Sequence, residues 1–320
     1  MRQFKLALGA LVAVILCAAP ALAQSYPSRP IRLVVPFGAG GGTDNLARII
    51  EPLVSKALGQ PLVIENRPGG GSTIGMDQVA KAAPDGYTLV MTDTSIAVNP
   101  SLKPLPYDTI NDFMAVSLLA TAPVILVAHP SVPAKTLQEF VALAKQKPGE
   151  LNYASGGIGA STHLVGVMMN LQAGTNITHI PFKGTGPALI ALLGGHVTMQ
   201  FGGISSAVPY LRDGKLRAIA LAGDHRDPNV PDVPTFQESG LKGADVLSTW
   251  GLHAPPGTPI EIRRTMRNAI GEVMRDPEVA KKLVERGYET LVNTPEEHQA
   301  QTAALVNQWI EVGKKVNLKE

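Results

Sequence analysis

Pro36-Phe37-Gly38-Ala39-Gly40-Gly41-Gly42-Thr43-Asp44 lies between an apolar run, Ile31 to Val35, and a helical pattern, Asn45 to Leu58. It reads as a strand, a glycine turn and a helix. The same order returns at Ser155-Gly156-Gly157-Ile158-Gly159-Ala160-Ser161-Thr162, after Leu151-Asn152-Tyr153-Ala154 and before Leu164 to Leu171. Glycine lets a backbone take positive φ and approach a bound group closely. A helix N-terminus offers unpaired N–H groups and partial positive charge. Two such turns facing each other would clamp a small anion. Either turn alone reads equally as a tight α/β connection that binds nothing; the pair favours a site. Neither fits a nucleotide motif. G-x-G-x-x-G fails at Thr43 and at Thr162, and G-x-x-x-x-G-K-[ST] is absent.

Around these turns, short β-like runs alternate with helical patterns. Leu62-Glu65, Thr88-Thr92, Val124-Ala128, Thr178-Pro181, Val197-Phe201 and Leu216-Leu221 read as further strands. Ile74-Ala83, Leu137-Gln146, Pro187-Leu193, Ile204-Arg212, Ile260-Met274 and Pro277-Arg286 read as helices. Such alternation predicts an α/β protein with mostly parallel sheets flanked by helices. Asp276-Pro277-Glu278 marks a helix start, and Thr294-Pro295-Glu296-Glu297 opens a last helix to about Val316. Pro52 interrupts the first helix pattern and predicts a bend or a restart there. Proline-rich punctuation at Lys103 to Asp108 and His225 to Pro234 divides the chain. The expected organisation is a first lobe from 24–120 plus 225–320, with a second lobe, 121–224, inserted into it.

Residues 1–23 carry Arg2 and Lys5, an apolar run from Leu6 to Ala19, and Ala21-Leu22-Ala23. A charged start, an apolar core and a small-x-small end predict a secretory signal peptide cleaved before Gln24. The apolar run is too short for a membrane anchor. The single cysteine, Cys17, lies inside this segment and follows Leu16, which is too large for a lipoprotein cleavage site. The mature chain is then free of thiols, which suits an oxidising compartment such as a bacterial periplasm. The whole chain has 28 basic and 26 acidic residues, and the leader removes two of the bases. With no basic run or basic–aromatic patch, nucleic acid is not an expected partner.

Further stretches add up in order and combination. They include Tyr26-Pro27-Ser28-Arg29-Pro30, Leu58-Gly59-Gln60-Pro61, Glu65-Asn66-Arg67-Pro68-Gly69, Ala83-Pro84-Asp85-Gly86-Tyr87, Leu105-Pro106-Tyr107-Asp108, Pro181-Phe182-Lys183-Gly184 and Val230-Pro231-Asp232-Val233-Pro234-Thr235. Through nearly all its mature length the chain resembles the Bug-type solute-binding proteins of tripartite tricarboxylate transporters. The resemblance implies a two-lobed, Venus-flytrap fold of the periplasmic-binding type with the ligand between the lobes. It implies a small organic carboxylate as ligand, held largely by main-chain groups and ordered water. Carried over, the contacting positions are Phe37, Ala39, Gly40 and Asp44 on one side, and Ser155, Gly157, Ser161, Thr162 and His163 on the other. It also implies delivery to a membrane permease of a large and a small subunit, a monomeric receptor and no cofactor. Two departures stand out: Phe182 where such proteins commonly carry Tyr, and Gly202-Gly203 where they commonly carry Asp-Asn. The second strips polarity from a place near the far end of a ligand and leaves room for a bulkier acid.

Single residues carry two readings each. Asp44 reads first as a helix cap and second as a ligand contact. His163 would donate to a carboxylate or sit hydrogen-bonded elsewhere. Lys183 would supply one cationic contact or stay solvated. Thr94 and Ser95 follow a strand end, where open α/β sheets bind ligands. Trp250 would line the pocket or fill the core. Catalytic motifs are weak: G-x-S-x-G fails at His163, and the seven histidines show no close metal-type pairing. An enzyme built from residues dispersed in sequence remains open, because triads are spatial. Three functions therefore stand: a transport receptor, a periplasmic hydrolase of a carboxylate ester, and a ligand-presenting module for a membrane sensor.

Overall fold

A computed structural model describes residues Tyr26 to Lys315. The signal-peptide reading of 1–23, Cys17 included, and the expected helix end at Val316 lie outside the described residues.

Two sheets organise the chain. The first contains β1 (Ile31–Val35), β2 (Leu62–Asn66), β3 (Thr88–Asp93), β4 (Met114–Ala122), β10 (Ser248–Ala254) and β11 (Glu289–Thr290), in the order β11-β4-β10-β3-β1-β2. The second contains β5 (Val124–Ala128), β6 (Asn152–Ser155), β7 (Thr178–Pro181), β8 (Met199–Gly203) and β9 (Arg217–Ala222), in the order β7-β6-β8-β5-β9. The two-lobed α/β expectation holds. The sheets are mixed rather than mostly parallel. β1 runs parallel to β2 and β3, and β6 to β7 and β8. β10 runs antiparallel to β3 and β4, β11 to β4, and β5 to β8 and β9. The cause is the route of the chain. Crossover helices enforce parallel pairing only between strands of one sheet. β4, β5, β9 and β10 flank the two passages between sheets, so they enter without that constraint.

The first passage is the single residue Pro123; the second is 223–247. Most of the second passage stays with the second sheet. Leu221 donates to the Pro234 carbonyl at 2.9 Å, the Phe236 amide returns to Leu221 at 2.8 Å, and Phe236 and Ala244 are buried in that sheet's core.

The helices are α1 (Gly42–Leu58), α2 (Thr73–Ala80), α3 (Ser95–Leu102), α4 (Leu137–Gln146), α5 (Ser161–Ala173), α6 (Thr185–Leu193), α7 (Ile204–Arg212), α8 (Ile260–Arg275), α9 (Pro277–Val284) and α10 (Pro295–Lys315). α1 buries Leu46, Ile50 and Val54 on one face against Leu33 and Met266. Pro52 neither restarts nor ends it. Pro52 lies on the exposed face, so the carbonyl it leaves unpaired can turn to water. Asp276 caps α9 by accepting from the amides of Glu278 and Val279, with Pro277 at the first position. Thr294 and Glu297 exchange bonds at the start of α10, a capping box. Leu164 of α5 packs against Val98 and Leu102 of α3, an apolar contact from one lobe to the other. None of the described helices is long and apolar enough to cross a membrane.

Candidate functional site

Four helix N-termini meet at the seam between the sheets. α1 follows β1, α5 follows β6, α6 follows β7 and α7 follows β8. Each begins at the C-terminal end of a strand in a parallel pair. First-turn amides have no acceptor inside their own helix, so the seam collects N–H groups and the positive ends of four dipoles. They surround a narrow cleft cavity of about 30 Å³. Gly41, Gly42 and Thr43 at the start of α1 form one wall; Ala160, Ser161 and Thr162 at the start of α5 form another. Phe37, Asp93, Gly156, Thr185, Gly203, Ser248 and Trp250 complete it.

The lobes touch along this cleft. The Gly38 amide donates to the Lys183 carbonyl at 2.7 Å, and Ser206 Oγ to the Gly40 carbonyl at 3.0 Å. The Gly42 amide reaches Thr185 Oγ1 at 3.3 Å, and Ser161 Oγ lies 2.7 Å from Ser248 Oγ. Tyr288 donates to the Gly42 carbonyl at 2.7 Å and lies 3.1 Å from Ser205 Oγ. Trp250 is wedged behind α1: its Nε1 donates to Thr43 Oγ1 at 2.9 Å, and its ring meets Tyr288 edge-on. Glycine permits the approach. A Cβ at Gly186 would stand 3.0 Å from the Gly41 nitrogen and closer still to the Ala39 carbonyl oxygen. At Gly157, φ is +122° and a Cβ would stand 2.9 Å from the Phe182 carbonyl.

A second, roomier cavity of about 290 Å³ adjoins the first and shares Phe37 and Gly156 with it. Gly69 to Ser72, Lys103, Gly157, Ile158, Phe182 and Lys183 line it.

The residues singled out in the sequence fall in different places. Phe37 lines both cavities; Ser161 and Thr162 line the first; Gly157 and Lys183 line the second. Ala39 and Gly40 form an exposed lip that lines neither. Asp44 is buried beneath that lip. Its Oδ2 accepts from the Gly40 amide and Arg48 Nε, both at 2.9 Å, and its Oδ1 from Asn66 Nδ2 at 3.0 Å. Burial alone would raise its carboxyl, but these donors hold it below the usual carboxylate range. Thr94 bonds the Leu247 carbonyl and Thr249 beside the second passage. Ser95 stands behind Asp93 and bonds it. His163 is fully buried, takes the Gly159 amide on Nδ1 at 3.3 Å and stacks on His179.

Ser155 Oγ lies 2.6 Å from His179 Nε2, a spacing a nucleophile and base would show. Ser155 is wholly buried, lines neither cavity and also accepts from the Gly157 amide at 3.1 Å. Burial lowers His179 to about 4. The pair braces the loop. Among the described residues, no group of three or more His, Cys, Asp or Glu converges as a metal site would need.

Gly40 and Gly157 therefore use their amides inside their own loops. The Gly42 amide is taken by Thr185 Oγ1, and the amides left at the cavity wall are the other first-turn amides of α1 and α5. Sequence reasoning missed Asp93, Thr185 and Ser248. Asp93 and Ser248 lie at the ends of β3 and β10, and no local pattern marked them. Thr185 had a signal: a Gly184-Thr185-Gly186-Pro187 run between strand and helix repeats the logic of the two larger turns.

Comparison with known proteins follows this geometry. The profile of the tripartite tricarboxylate transporter family receptor matches residues 46–318. BugT of Bordetella pertussis is 35% identical over 100% of this chain and 99% of its own. The solved structure of the periplasmic binding protein BugD superposes with a TM-score of 0.88 at 36% identity, covering 92% of this chain and 100% of that one. MatC of Rhodopseudomonas palustris, solved with bound malate, has a TM-score of 0.85 at 38% identity, covering 90% of this chain and 100% of that one.

Proposed function

The chain belongs to the tripartite tricarboxylate transporter receptor family, and on that footing we propose that it is a periplasmic receptor for a small organic carboxylate. The observation that carries this reading is the first cavity itself. Four helix N-termini meet there and no Lys, Arg or His side chain lines it. An anion in that place is held by main-chain amides and hydroxyls, with fixed dipoles supplying the charge.

Capture proceeds by closure. A carboxylate between α1 and α5 contacts both lobes at once, so it favours the closed arrangement by differential affinity. Phe37, Thr43, Ser161, Thr162, Thr185 and Trp250 surround it. Gly157 and Lys183, on the second cavity, face the end of a longer ligand. Ala39, Gly40, Asp44, Thr94, Ser95, Ser155 and His163 shape the loops and the hinge. The second lobe runs from about 123 to 247, because Phe236 and Ala244 pack on its sheet. The precursor is exported by its first 23 residues. The loaded monomer hands its ligand, chemically unchanged, to a membrane permease of a large and a small subunit.

The test is a thermal-shift screen against organic acids, followed by calorimetry and recovery of the bound acid by mass spectrometry. A carboxylate that raises the melting temperature by mass action and is recovered intact supports the receptor reading. Turnover of that acid, or indifference to every acid in the panel, would contradict it.

A further inference from the structure

The first cavity carries one ionisable side chain, and its charge has the wrong sign for a plain carboxylate. Asp93 ends β3, pairs across to Trp250, and is 9% exposed. Its Oδ1 takes both the Ser95 amide, at 2.9 Å, and the Ser95 hydroxyl. Ser95 Oγ in turn lies 2.8 Å from Ser72 Oγ, which fixes the carboxyl plane. Oδ2 receives no hydrogen bond from another described residue, yet Asp93 lines the cavity. Lys103 and Lys183, the cations of the cleft, line the neighbouring cavity. Burial pushes the Asp93 carboxyl up to about 6, so it is mostly ionised above neutral pH and has no cationic partner within its own cavity.

We infer that the ligand carries an ammonium group beside its carboxylate, and that Asp93 Oδ2 receives it. This rests on the receptor reading above and narrows its substrate class to amino acids. The ligand carboxylate lies against the first turns of α1 and α5, and the amine faces Asp93. A buried carboxylate with one oxygen unclaimed by any other described residue, on a cavity rimmed by helix N-termini, matches a zwitterion in both halves. A few ångströms from a unit charge, at an effective dielectric near 20, attraction or repulsion changes affinity by ten- to a hundredfold or more. Asp93 therefore favours the amino acid over the same acid without its amine, and a hydroxyl in that place recovers only part of the gain.

The test is calorimetry at pH 7.5 with two matched series: butanoate, 2-hydroxybutanoate and 2-aminobutanoate; then succinate, malate and aspartate. The wild-type protein is expected to bind the amino member of at least one series tenfold or more tighter than its hydroxy and unsubstituted partners. Asp93→Asn, which keeps an acceptor for Ser95, is expected to weaken that member at least tenfold while the unsubstituted acid holds or gains. The wild-type ranking needs no variant, so a misfolded Asp93→Asn leaves the test intact. Unsubstituted or hydroxy acids equalling or exceeding the amino member in both series would overturn the inference and leave the receptor reading standing. An amino-acid preference unchanged by a folded Asp93→Asn would also overturn it. Binding to no member of either series, nor to any acid of the wider panel, would overturn the receptor reading itself.

Discussion

Gly186→Ala separates closure from folding. Gly186 lies in the first turn of α6 with a helical backbone, and Pro187 follows it, so alanine is accommodated on its own lobe with little gain. Gly to Ala in a helix stabilises by up to about 1 kcal/mol, less near an end. The Cβ points at the opposite lobe: it would stand 3.0 Å from the Gly40 carbonyl carbon and from the Gly41 nitrogen, and nearer to the Ala39 oxygen. Every one of these neighbours is backbone, so no rotamer relieves the contact. The lobes must part by roughly 1 Å for ordinary van der Waals distances. That separation stretches the Gly42 amide to Thr185 bond, now 3.3 Å, and the Gly38 amide to Lys183 bond, now 2.7 Å. At about 1 kcal/mol per bond, plus imperfect packing, the loss of closed-state stability is about 2–3 kcal/mol. Affinity should fall by roughly 30- to 150-fold. The ligand-free melting temperature should stay level or rise by about 1–2 °C. Thermal denaturation and calorimetry on one preparation read both quantities. If Gly186→Ala bound its acid as tightly as the wild type, the closed contact would not be the binding state, and the reasoning would fail.

Trp250→Phe removes the bond to Thr43 and the indole at the cavity wall, so affinity should fall by about 1 kcal/mol and the ligand-induced change in tryptophan fluorescence should vanish although Trp309 remains. Asp44→Ala should lower stability and affinity together, since Asp44 braces the loop from beneath; loss of affinity with unchanged denaturant stability would make it a direct contact. Lys183→Ala should cost no more than about 1 kcal/mol in affinity, because the side chain is exposed and the Gly38 bond uses its main chain. His298 and His253 are buried side by side, and burial lowers His298 from 6.5 to about 4. The unfolded chain then binds protons that the folded one refuses, so this contribution is lost as pH falls from about 6.5 towards 4, by up to about 3 kcal/mol. Asp93 works in the opposite direction over part of that range, so the comparison with the variant is the test. Denaturation of His298→Gln should show a flatter acid limb than the wild type between those pH values; an unchanged limb would contradict the burial argument.

The turns at Pro36 to Asp44 and Ser155 to Thr162 were legible because glycine, a preceding apolar run and a following helix pattern all lie within one short window. The helix start at Asp276-Pro277 was legible for the same reason. What escaped is non-local. β4 and β10 form the antiparallel centre of the first sheet, and their sequences, Met-Ala-Val-Ser-Leu-Leu-Ala-Thr-Ala and Ser-Thr-Trp-Gly-Leu-His-Ala, show almost continuous burial with no alternation. Periodicity cannot distinguish such runs from buried helix. Ser248 and Trp250 reach the cavity through that pairing, and Asp93, at the end of β3, lies opposite Trp250. The direction of individual amides was equally hidden: Asp44 and Ser155 claim the N–H groups of Gly40 and Gly157, which composition alone cannot foretell.

The most direct test is a crystal structure with the tightest-binding acid of the panel. The account predicts the ligand carboxylate between the first turns of α1 and α5, within hydrogen-bond distance of their amides and of Ser161 or Thr162, with the lobes closed as described. A carboxylate held instead by Lys103 and Lys183 in the neighbouring cavity, with the four helix N-termini unengaged, would contradict it.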